Sequence, residues 1–361
     1  MKKQTFYTLL FAMLIMLLAA CSNGEKAAEE PDVDEKPVGE EKIEEPKEEE
    51  AEKEEKVEGT LQFYTSQPDT DATELVKQFN VKYPDVDVKT FRSGTEEVIG
   101  KILAEKEAGS IQADVLLVAD SVTFANLKEQ DLLESYESAE YKDIPAEFVD
   151  EDYMYAGTKV MSTVLAVNTE KVKDLPTSWD VLTAPENKDL SIMPSPLYSG
   201  AAAYNVGVMT RQDKFGWDFY EKLKENKVTV VQGNGAALKA VLGGEKSYAM
   251  VVDFIITRAK AEGSPVEIVY PEEGVPVITE PIGLMKDAKN RTAAKAFIDF
   301  VMSEEGQKVA MDIGYTPIRK GMQAPEGLKT IDEINVISAP LDELNKARED
   351  EKRKFKQLFG E

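Results

Sequence analysis

One short stretch, Ser199-Gly200-Ala201, has the composition of a site for an oxyanion. Pro194 and Pro196 precede it and predict an extended turn, because proline fixes φ and biases the residue before it away from helix. Ser199 is a suitable N-cap for the alanine-rich helix that follows, and Gly200 lets a ligand approach the backbone. The first N–H groups of that helix have no partner within it, and the positive end of the helix dipole lies behind them. The stretch therefore predicts either an anion cradle or a simple capped helix.

Polar side chains also follow two strand-like segments. Ser66 and Gln67 come after the alternating segment 60–65, and Arg92 comes after the segment 86–91. Loops at the carboxyl ends of strands are where open α/β sheets bind ligands. Ser66 and Gln67 are therefore candidate ligand-binding residues, and Arg92 is either a bidentate partner of a phosphate or a surface residue.

Four more polar residues are candidates with two interpretations each. Thr163, within the apolar segment 155–168, either donates its hydroxyl to a ligand or packs in a buried hinge. Asn234 lies in a glycine-flanked loop and is either a turn residue or a ligand-binding amide. Asp253 either caps a helix or accepts hydrogen bonds from an ammonium or hydroxyl group of a ligand. Glu280 lies in an apolar segment, where an unpaired charge is costly, so it needs a protein cation or a ligand as partner.

Residues for catalysis are scarce. The chain has 361 residues, no histidine and a single cysteine, and it contains no P-loop motif or cluster of metal-ligating residues. Ser-Lys chemistry stays open, although no motif supports it. We therefore expect a binding protein with no enzymatic activity, no cofactor and no dedicated metal site.

The N-terminus predicts export. Lys2 and Lys3 precede an apolar run at 6–18, which is the pattern of a secretory signal over residues 1–20. The run is short for a permanent membrane span. Cys21 follows Leu-Ala-Ala, as in bacterial lipoprotein signals, in which this cysteine carries the lipid. We expect an exported lipoprotein on the outer face of the cytoplasmic membrane, anchored only through its acyl chains.

Residues 21–58 predict a disordered acidic tether that begins at the lipidated cysteine. From residue 22 the segment carries 17 acidic and 6 basic side chains and has no aromatic residue, so it cannot bury a core. The whole chain has a formal net charge of -25, and the part that follows the tether is also acidic. This charge disfavours nucleic acid and anionic membranes as ligands, and an anion site would need strong local donors.

The remaining 300 or so residues are long for a single core and predict two lobes of α/β architecture. Alternating strand-like and helix-like segments support this prediction. We assign residues 59–160 to the first lobe and 161–278 to the second. Residues 279–361 form the return crossing and C-terminal helices that pack on the first lobe.

The order of these segments resembles the solute-binding proteins of bacterial ABC transporters. The resemblance extends over most of residues 60–320 and implies a type II two-lobe periplasmic-binding-protein fold, with a ligand cleft between lobes joined by crossing strands. Within that class, the chain resembles the group named for ferric-ion-binding proteins, which includes binders of phosphosugars, pyridoxal phosphate and aminoethylphosphonate. The resemblance rests on Tyr64-Thr65-Ser66, Ala113-Asp114-Val115, Leu175-Pro176-Thr177-Ser178-Trp179-Asp180, Met285-Lys286-Asp287-Ala288-Lys289-Asn290 and the run 294–307.

The resemblance also bears on the ligand. The iron binders of this group use a histidine, a glutamate and a tyrosine pair, and the corresponding positions here are Pro68, Ala119 and Asp253-Phe254. Their anion is held at a Ser-Gly-Ala helix start and by an asparagine, which match Ser199-Gly200-Ala201 and Asn234. The resemblance thus implies that the anion half of the site is present and the metal half is replaced.

We therefore expect a monomer that closes on a small anionic organic solute, phosphorylated or phosphonate-containing, and delivers it to the permease and ATPase subunits of an ABC importer. Two alternatives stay open. One is a ferric ion or metal chelate held by Asp253 and Glu280, and the other is a polyamine or thiamine-like cation.

Overall fold

A computed structural model describes residues 56–360 of the chain. The expected signal peptide, Cys21 and nearly all of the tether lie outside these residues. Among the described helices, none combines the length and the apolar character that a membrane span needs.

Strands and helices alternate along most of the described chain. The strands are β1 (Gly59–Thr65), β2 (Val86–Arg92), β3 (Val115–Leu117), β4 (Leu133–Glu134), β5 (Ala156–Asn168), β6 (Ser191–Pro194), β7 (Thr229–Val231), β8 (Tyr248–Val252), β9 (Val266–Val269), β10 (Val275–Met285), β11 (Thr316–Pro317) and β12 (Val336–Ile337). The helices are α1 (Asp69–Lys82), α2 (Thr95–Glu107), α3 (Ser121–Glu129), α4 (Gly200–Met209), α5 (Gly216–Glu225), α6 (Asn234–Leu242), α7 (Asp253–Ala261), α8 (Arg291–Met302), α9 (Glu304–Asp312) and α10 (Leu341–Phe359).

Two long strands, β5 and β10, join the two halves of the sheet. The strand order is β2-β1-β3-β10-β5-β8-β6-β7. β1 pairs in parallel with β2 and β3, and β6 pairs in parallel with β7 and β8, so each lobe has a small parallel sheet. β5 and β10 pair with each other in antiparallel fashion. All 13 residues of β5 are buried, as expected for a strand with cover on both faces.

The first lobe is completed by residues that come after the return crossing. Helix α8 inserts Phe297 between Phe63 of β1 and Phe79 of α1, with ring centroids 4.8 and 4.9 Å apart. This packing buries the apolar face of α8 against the sheet. The first-lobe core therefore depends on contacts between residues more than 200 positions apart.

The last helix, α10, differs from the expectation that the C-terminal helices pack on the first lobe. Phe355 is fully buried in the second-lobe core, where its ring centroid lies 6.1 Å from that of Tyr220. Leu344, near the start of α10, packs between Val122 of α3 and Val208 of α4. The apolar side of α10 is thus buried mainly against the second lobe, and the helix contacts both lobes.

Candidate functional site

A cavity of about 350 Å³ lies between the two lobes. Its walls come from the loops after β1 and β2, from the starts of α4 and α6, from α7 and from the crossing strands. The lining residues are Ser66, Pro68, Arg92, Gly94, Thr95 and Ala119 from the first lobe, Tyr198, Ser199, Ala201, 232–236, Val252, Phe254 and Ile255 from the second, and Met161, Glu280 and Tyr315 from the crossing region.

The helix start at Ser199 is part of this wall. Ser199 caps α4, since its Oγ accepts a hydrogen bond from the Ala202 N–H at 3.3 Å. The Asn234 Nδ2 donates to the same Oγ at 3.3 Å, and the Asn234 Oδ1 accepts from the Val252 N–H at 3.2 Å. Asn234 therefore ties the start of α4 to the end of β8. Local sequence explains the cap, whereas the contact with Asn234 spans 35 residues.

The structure brings five of the nine candidate ligand-binding residues to the cavity wall and leaves the other four outside it. Ser66, Ser199, Ala201, Asn234 and Glu280 line the cavity. Gln67 and Thr163 are buried beside two smaller cavities of about 20 and 10 Å³. Gly200 lies against the carbonyl oxygen of Ala119.

Asp253 lies behind the wall rather than on it. Its side chain is buried and its Oδ1 accepts a hydrogen bond from the Phe254 N–H at 2.8 Å. Burial raises the pKa of Asp253 to about 7, although hydrogen bonds from Ser162 and Phe254 act in the opposite direction. A carboxyl group in this position stabilises the start of α7 and is not placed to touch a solute in the cavity.

Glu280 has a protein cation as its partner. Its Oε2 lies 2.6 Å from the Nζ of Lys159, and both side chains are almost fully buried. The Lys159 Nζ also lies 4.6 Å from the ring centroid of Tyr315. Of the two partners left open by the sequence, the structure thus supplies the lysine, and the Glu280 charge is balanced before any solute binds.

Three aromatic residues on the wall were not predicted as site residues. Tyr315 donates its hydroxyl to the Asp71 Oδ2 at 2.7 Å, and its ring centroid lies 4.1 Å from that of Phe254. Tyr198 precedes the N-cap of α4. The position of Tyr198 next to Ser199 was a usable signal, but Tyr315 reaches the cavity only through the fold.

The two lobes contact each other around the cavity. Arg258 of α7 donates both terminal nitrogens to the Asp71 carboxylate, at 2.9 and 2.8 Å. The Glu96 N–H donates to the Tyr198 carbonyl oxygen at 3.3 Å. In α10, Arg348 donates to both carboxylate oxygens of Asp120, at 2.6 and 2.8 Å. These hydrogen bonds join the two lobes beside the cavity.

Residues 74–334 match the model of the family described as bacterial extracellular solute-binding protein. The chain belongs to this family. This solute-binding protein is 25% identical to a probable ABC transporter periplasmic-binding protein of Sinorhizobium fredii over 252 residues, which cover 67% of this chain and 69% of the relative.

Two solved structures have a similar fold. The periplasmic binding protein AfuA from Actinobacillus pleuropneumoniae, with fructose-6-phosphate bound, gives a TM-score of 0.77 at 24% identity and covers 83% of this chain and 98% of its own. Iron-bound HitA from Pseudomonas aeruginosa gives a TM-score of 0.73 at 26% identity, with coverage of 82% and 99%. The predicted resemblance and the two-lobe fold are confirmed.

Proposed function

We propose that this solute-binding protein is the lipid-anchored receptor of an ABC importer and captures a small organic phosphate or phosphonate. Family membership and the Sinorhizobium relative support the transport role. On this proposal, the lobes close on the solute and the closed form docks on a permease, whose ATPase subunits supply the energy. The chain acts as a monomer, needs no cofactor and catalyses no reaction.

The observation that carries the proposed ligand is the start of α4 on the cavity wall, with the Asn234 amide against the Ser199 hydroxyl. An oxyanion there would accept hydrogen bonds from the first N–H groups of α4 and lie at the positive end of the helix dipole. The carboxylate on the same wall, Glu280, is balanced by Lys159 and therefore repels an anion little.

Ferric ion is the second candidate, because HitA is iron-bound and has 26% identity to this chain. Fe(III) needs anionic oxygen ligands such as tyrosinates. Tyr315 is poorly suited to this role, since its hydroxyl donates to Asp71 and burial raises its pKa well above the usual value. The sequence also has no histidine. The pairing of Tyr315 with Asp71 and the lack of histidine therefore favour an organic anion over ferric ion as the ligand.

A polyamine or thiamine-like cation has less support. Such a ligand would need an unpaired carboxylate on the wall, whereas Glu280 is paired with Lys159 and Asp253 is buried behind the wall. The same argument applies to a metal chelate held by these two carboxylates.

The anchor belongs to the same proposal. We infer from the sequence that residues 1–20 direct export and that Cys21 carries the lipid, with the tether 21–58 as a spacer. Cys21→Ser should release the protein from washed membranes into the soluble exported fraction. Retention of this variant on membranes would contradict the lipid anchor and leave the ligand proposal intact.

A ligand screen tests the proposed solute class. The purified protein, in phosphate-free buffer, is mixed with fructose 6-phosphate, pyridoxal phosphate, 2-aminoethylphosphonate, inorganic phosphate, Fe(III) or spermidine, and the unfolding midpoint is measured. A true solute at a hundredfold excess over its Kd stabilises the protein by about 2.7 kcal/mol. Stabilisation by Fe(III) or spermidine alone would contradict the proposal, and turnover of any compound would identify an enzyme.

A serine variant with a matched control tests the helix start. Ser199→Ala removes a cap that contacts Asn234 on the cavity wall, whereas Ser303→Ala removes the equivalent cap of α9, at a residue that does not line the cavity. Each change should lower the free energy of unfolding by about 1 kcal/mol. Only Ser199→Ala should also weaken solute binding. Equal affinities of the two variants would mean that the start of α4 does not hold the solute.

A further inference from the structure

Arg92 stands at the edge of the first-lobe sheet that faces the cavity. It is the last residue of β2 and pairs in parallel register with Thr65, the last residue of β1. The carboxyl ends of parallel strands meet at one edge of a sheet, and Ser66 and Gly94 line the cavity at the same edge. Arg92 itself is one of the residues that line the cavity.

A single hydrogen bond fixes the orientation of this guanidinium group. The Arg92 Nε donates to the backbone carbonyl oxygen of Gln67 at 2.7 Å. Gln67 is 2% exposed, and its own N–H donates to the Thr65 Oγ1 at 3.1 Å, so the acceptor is held in place. Because Nε is used in this way, the two terminal nitrogens of Arg92 remain for another partner.

Those terminal nitrogens have no hydrogen-bond or ion-pair partner within residues 56–360. The nearest carboxylate is Asp69, whose Oδ1 lies 4.0 Å from Nε and whose side chain is 82% exposed. An exposed pair at this distance contributes little. The guanidinium therefore offers a planar pair of donors, always charged, that matches two oxygens of one anion.

The charge balance of the wall points the same way. In the described part of the chain, Arg92 and Glu280 are the two charged side chains that line the cavity. Lys159 lies 2.6 Å from Glu280 and balances it, whereas nothing on the wall balances Arg92. The cavity thus carries a local positive charge in a protein whose formal net charge is -25. This local excess favours an anion despite the acidic surroundings.

We propose that Arg92 binds the anionic head of the solute from the first lobe, opposite Ser199 and Asn234 on the second. The chemical class is a phosphoryl or phosphonyl group, since the guanidinium fork requires two oxygens and the helix start supplies donors for a third. The anion then links the two lobes, so that Arg92 and the start of α4 contact it together only in the closed form. This inference rests on the proposed function and adds the cation that the acidic protein needs at the site.

Three variants on strand β2 test the role of Arg92. Arg92→Gln removes the charge and the fork, Arg92→Lys keeps the charge without the fork, and Lys89→Gln removes a charge on the same strand that pairs with Asp87 and does not line the cavity. Titration calorimetry measures the Kd for fructose 6-phosphate, 2-aminoethylphosphonate and inorganic phosphate at low and high salt. Thermal unfolding of each variant reports whether it is folded.

We expect Arg92→Gln to weaken binding about 10- to 100-fold, the range for charge-assisted hydrogen bonds, and Arg92→Lys to fall between it and the wild type. Lys89→Gln should bind within about twofold of the wild type. The salt dependence of Kd should decrease in Arg92→Gln, which a purely structural role would not produce.

The possible outcomes separate this inference from the proposed function. A wild-type protein that binds one of the three compounds, with unchanged affinity in Arg92→Gln, overturns the role of Arg92 while the solute class stands. A wild-type protein that binds none of them overturns both. If Arg92→Gln and Lys89→Gln lost the same amount of affinity, the effect would come from the overall charge of the protein. That result would also reject a direct contact between Arg92 and the solute.

Discussion

The carbonyl oxygen of Ala119 in the first lobe lies directly against Gly200 at the start of α4 in the second. A Cβ atom added at Gly200 would lie 2.4 Å from that oxygen, which is closer than real Cβ contacts allow. Gly200 begins a regular helix, so an alanine there is compatible with the backbone. The glycine is therefore needed for the approach of the two lobes rather than for local conformation.

Gly200→Ala should weaken solute binding by opposing lobe closure. Relief of the Ala119 contact requires the lobes to separate, at a cost of about 1–3 kcal/mol, which corresponds to about 5- to 150-fold in Kd. Titration calorimetry measures the affinity, and small-angle scattering measures the radius of gyration with and without solute. Gly100→Ala, at a helical position with open space around it, is the matched control and should leave Kd unchanged. A Gly200→Ala protein with wild-type affinity would show that closure does not require this contact.

Gly94→Ala should act similarly through a different neighbour. A Cβ at Gly94 would lie 2.6 Å from two carbon atoms of the Tyr198 ring, across the boundary between the lobes, while the Gly94 φ of -62° suits alanine. We expect weaker binding in Gly94→Ala and no further loss when the same change is made in a Tyr198→Ala background. The double-mutant cycle isolates this contact from any role of Tyr198 in binding. If the losses of affinity in the two single variants added up in the double variant, the Tyr198 ring would not be the group with which the new Cβ atom collides.

Arg348→Met should destabilise the protein strongly. It would leave the Asp120 carboxylate buried without the cation that now lies 2.6 Å from its Oδ1, and loss of one partner of a buried pair costs about 3–5 kcal/mol. Urea unfolding measures the effect. Asp120→Asn in the same chain should restore part of the stability, because it removes the unpaired charge.

An exposed pair on the same helix provides the comparison for Arg348. Arg353 pairs with Asp350, and both side chains are mostly exposed. Arg353→Met should therefore change the free energy of unfolding by less than about 1 kcal/mol. If Arg348→Met cost no more than this control, the bridge between α10 and α3 would be unimportant for stability.

Asp253 should make stability fall as pH rises through the weakly acidic range. Its pKa is about 7 in the folded protein, against an ordinary value of 3.8, so between these values the folded state holds a proton that the unfolded chain has released. Each pH unit in this window should lower the contribution of this group by up to about 1.4 kcal/mol. Below the lower pKa, Asp253 is protonated in both the folded and the unfolded state and does not change the free energy of unfolding. Above the upper pKa, the folded protein carries a buried carboxylate and the destabilisation reaches its full value.

Asp253→Asn tests this dependence, because asparagine keeps the shape and one acceptor oxygen without the titration. Chemical unfolding of both proteins from pH 4 to pH 8 should show the variant gaining stability relative to the wild type as pH rises. Parallel pH profiles for the two proteins would mean that the Asp253 proton is not retained on folding.

Features of this protein that depend on local residue patterns could be predicted from the sequence. Strand β5 is fully buried and strand β10 is mostly buried, in agreement with the apolar segment 155–168 and the return crossing expected from the sequence. An apolar β-prone run has few alternatives to the centre of a sheet. The cap at Ser199 was predicted for a similar reason, since proline, serine and alanine impose their conformations within a few residues. Burial of Glu280 also implied a partner for it.

The pairs of distant residues that contact each other could not be predicted in this way, because they depend on the three-dimensional fold. The partner of Glu280 is Lys159, 121 positions earlier, and Tyr315 reaches Asp71 across 244 positions. The orientation of Arg92 depends on a hydrogen bond to the Gln67 carbonyl oxygen. The apolar face of α10 is buried against a core formed by the second lobe. The sequence pattern predicts that a side chain is buried or that a buried charge needs a partner. Many residues elsewhere in the chain could serve as that partner. The choice among them follows from the packing of both lobes at once, because each contact is favourable only when the others have already brought its atoms together.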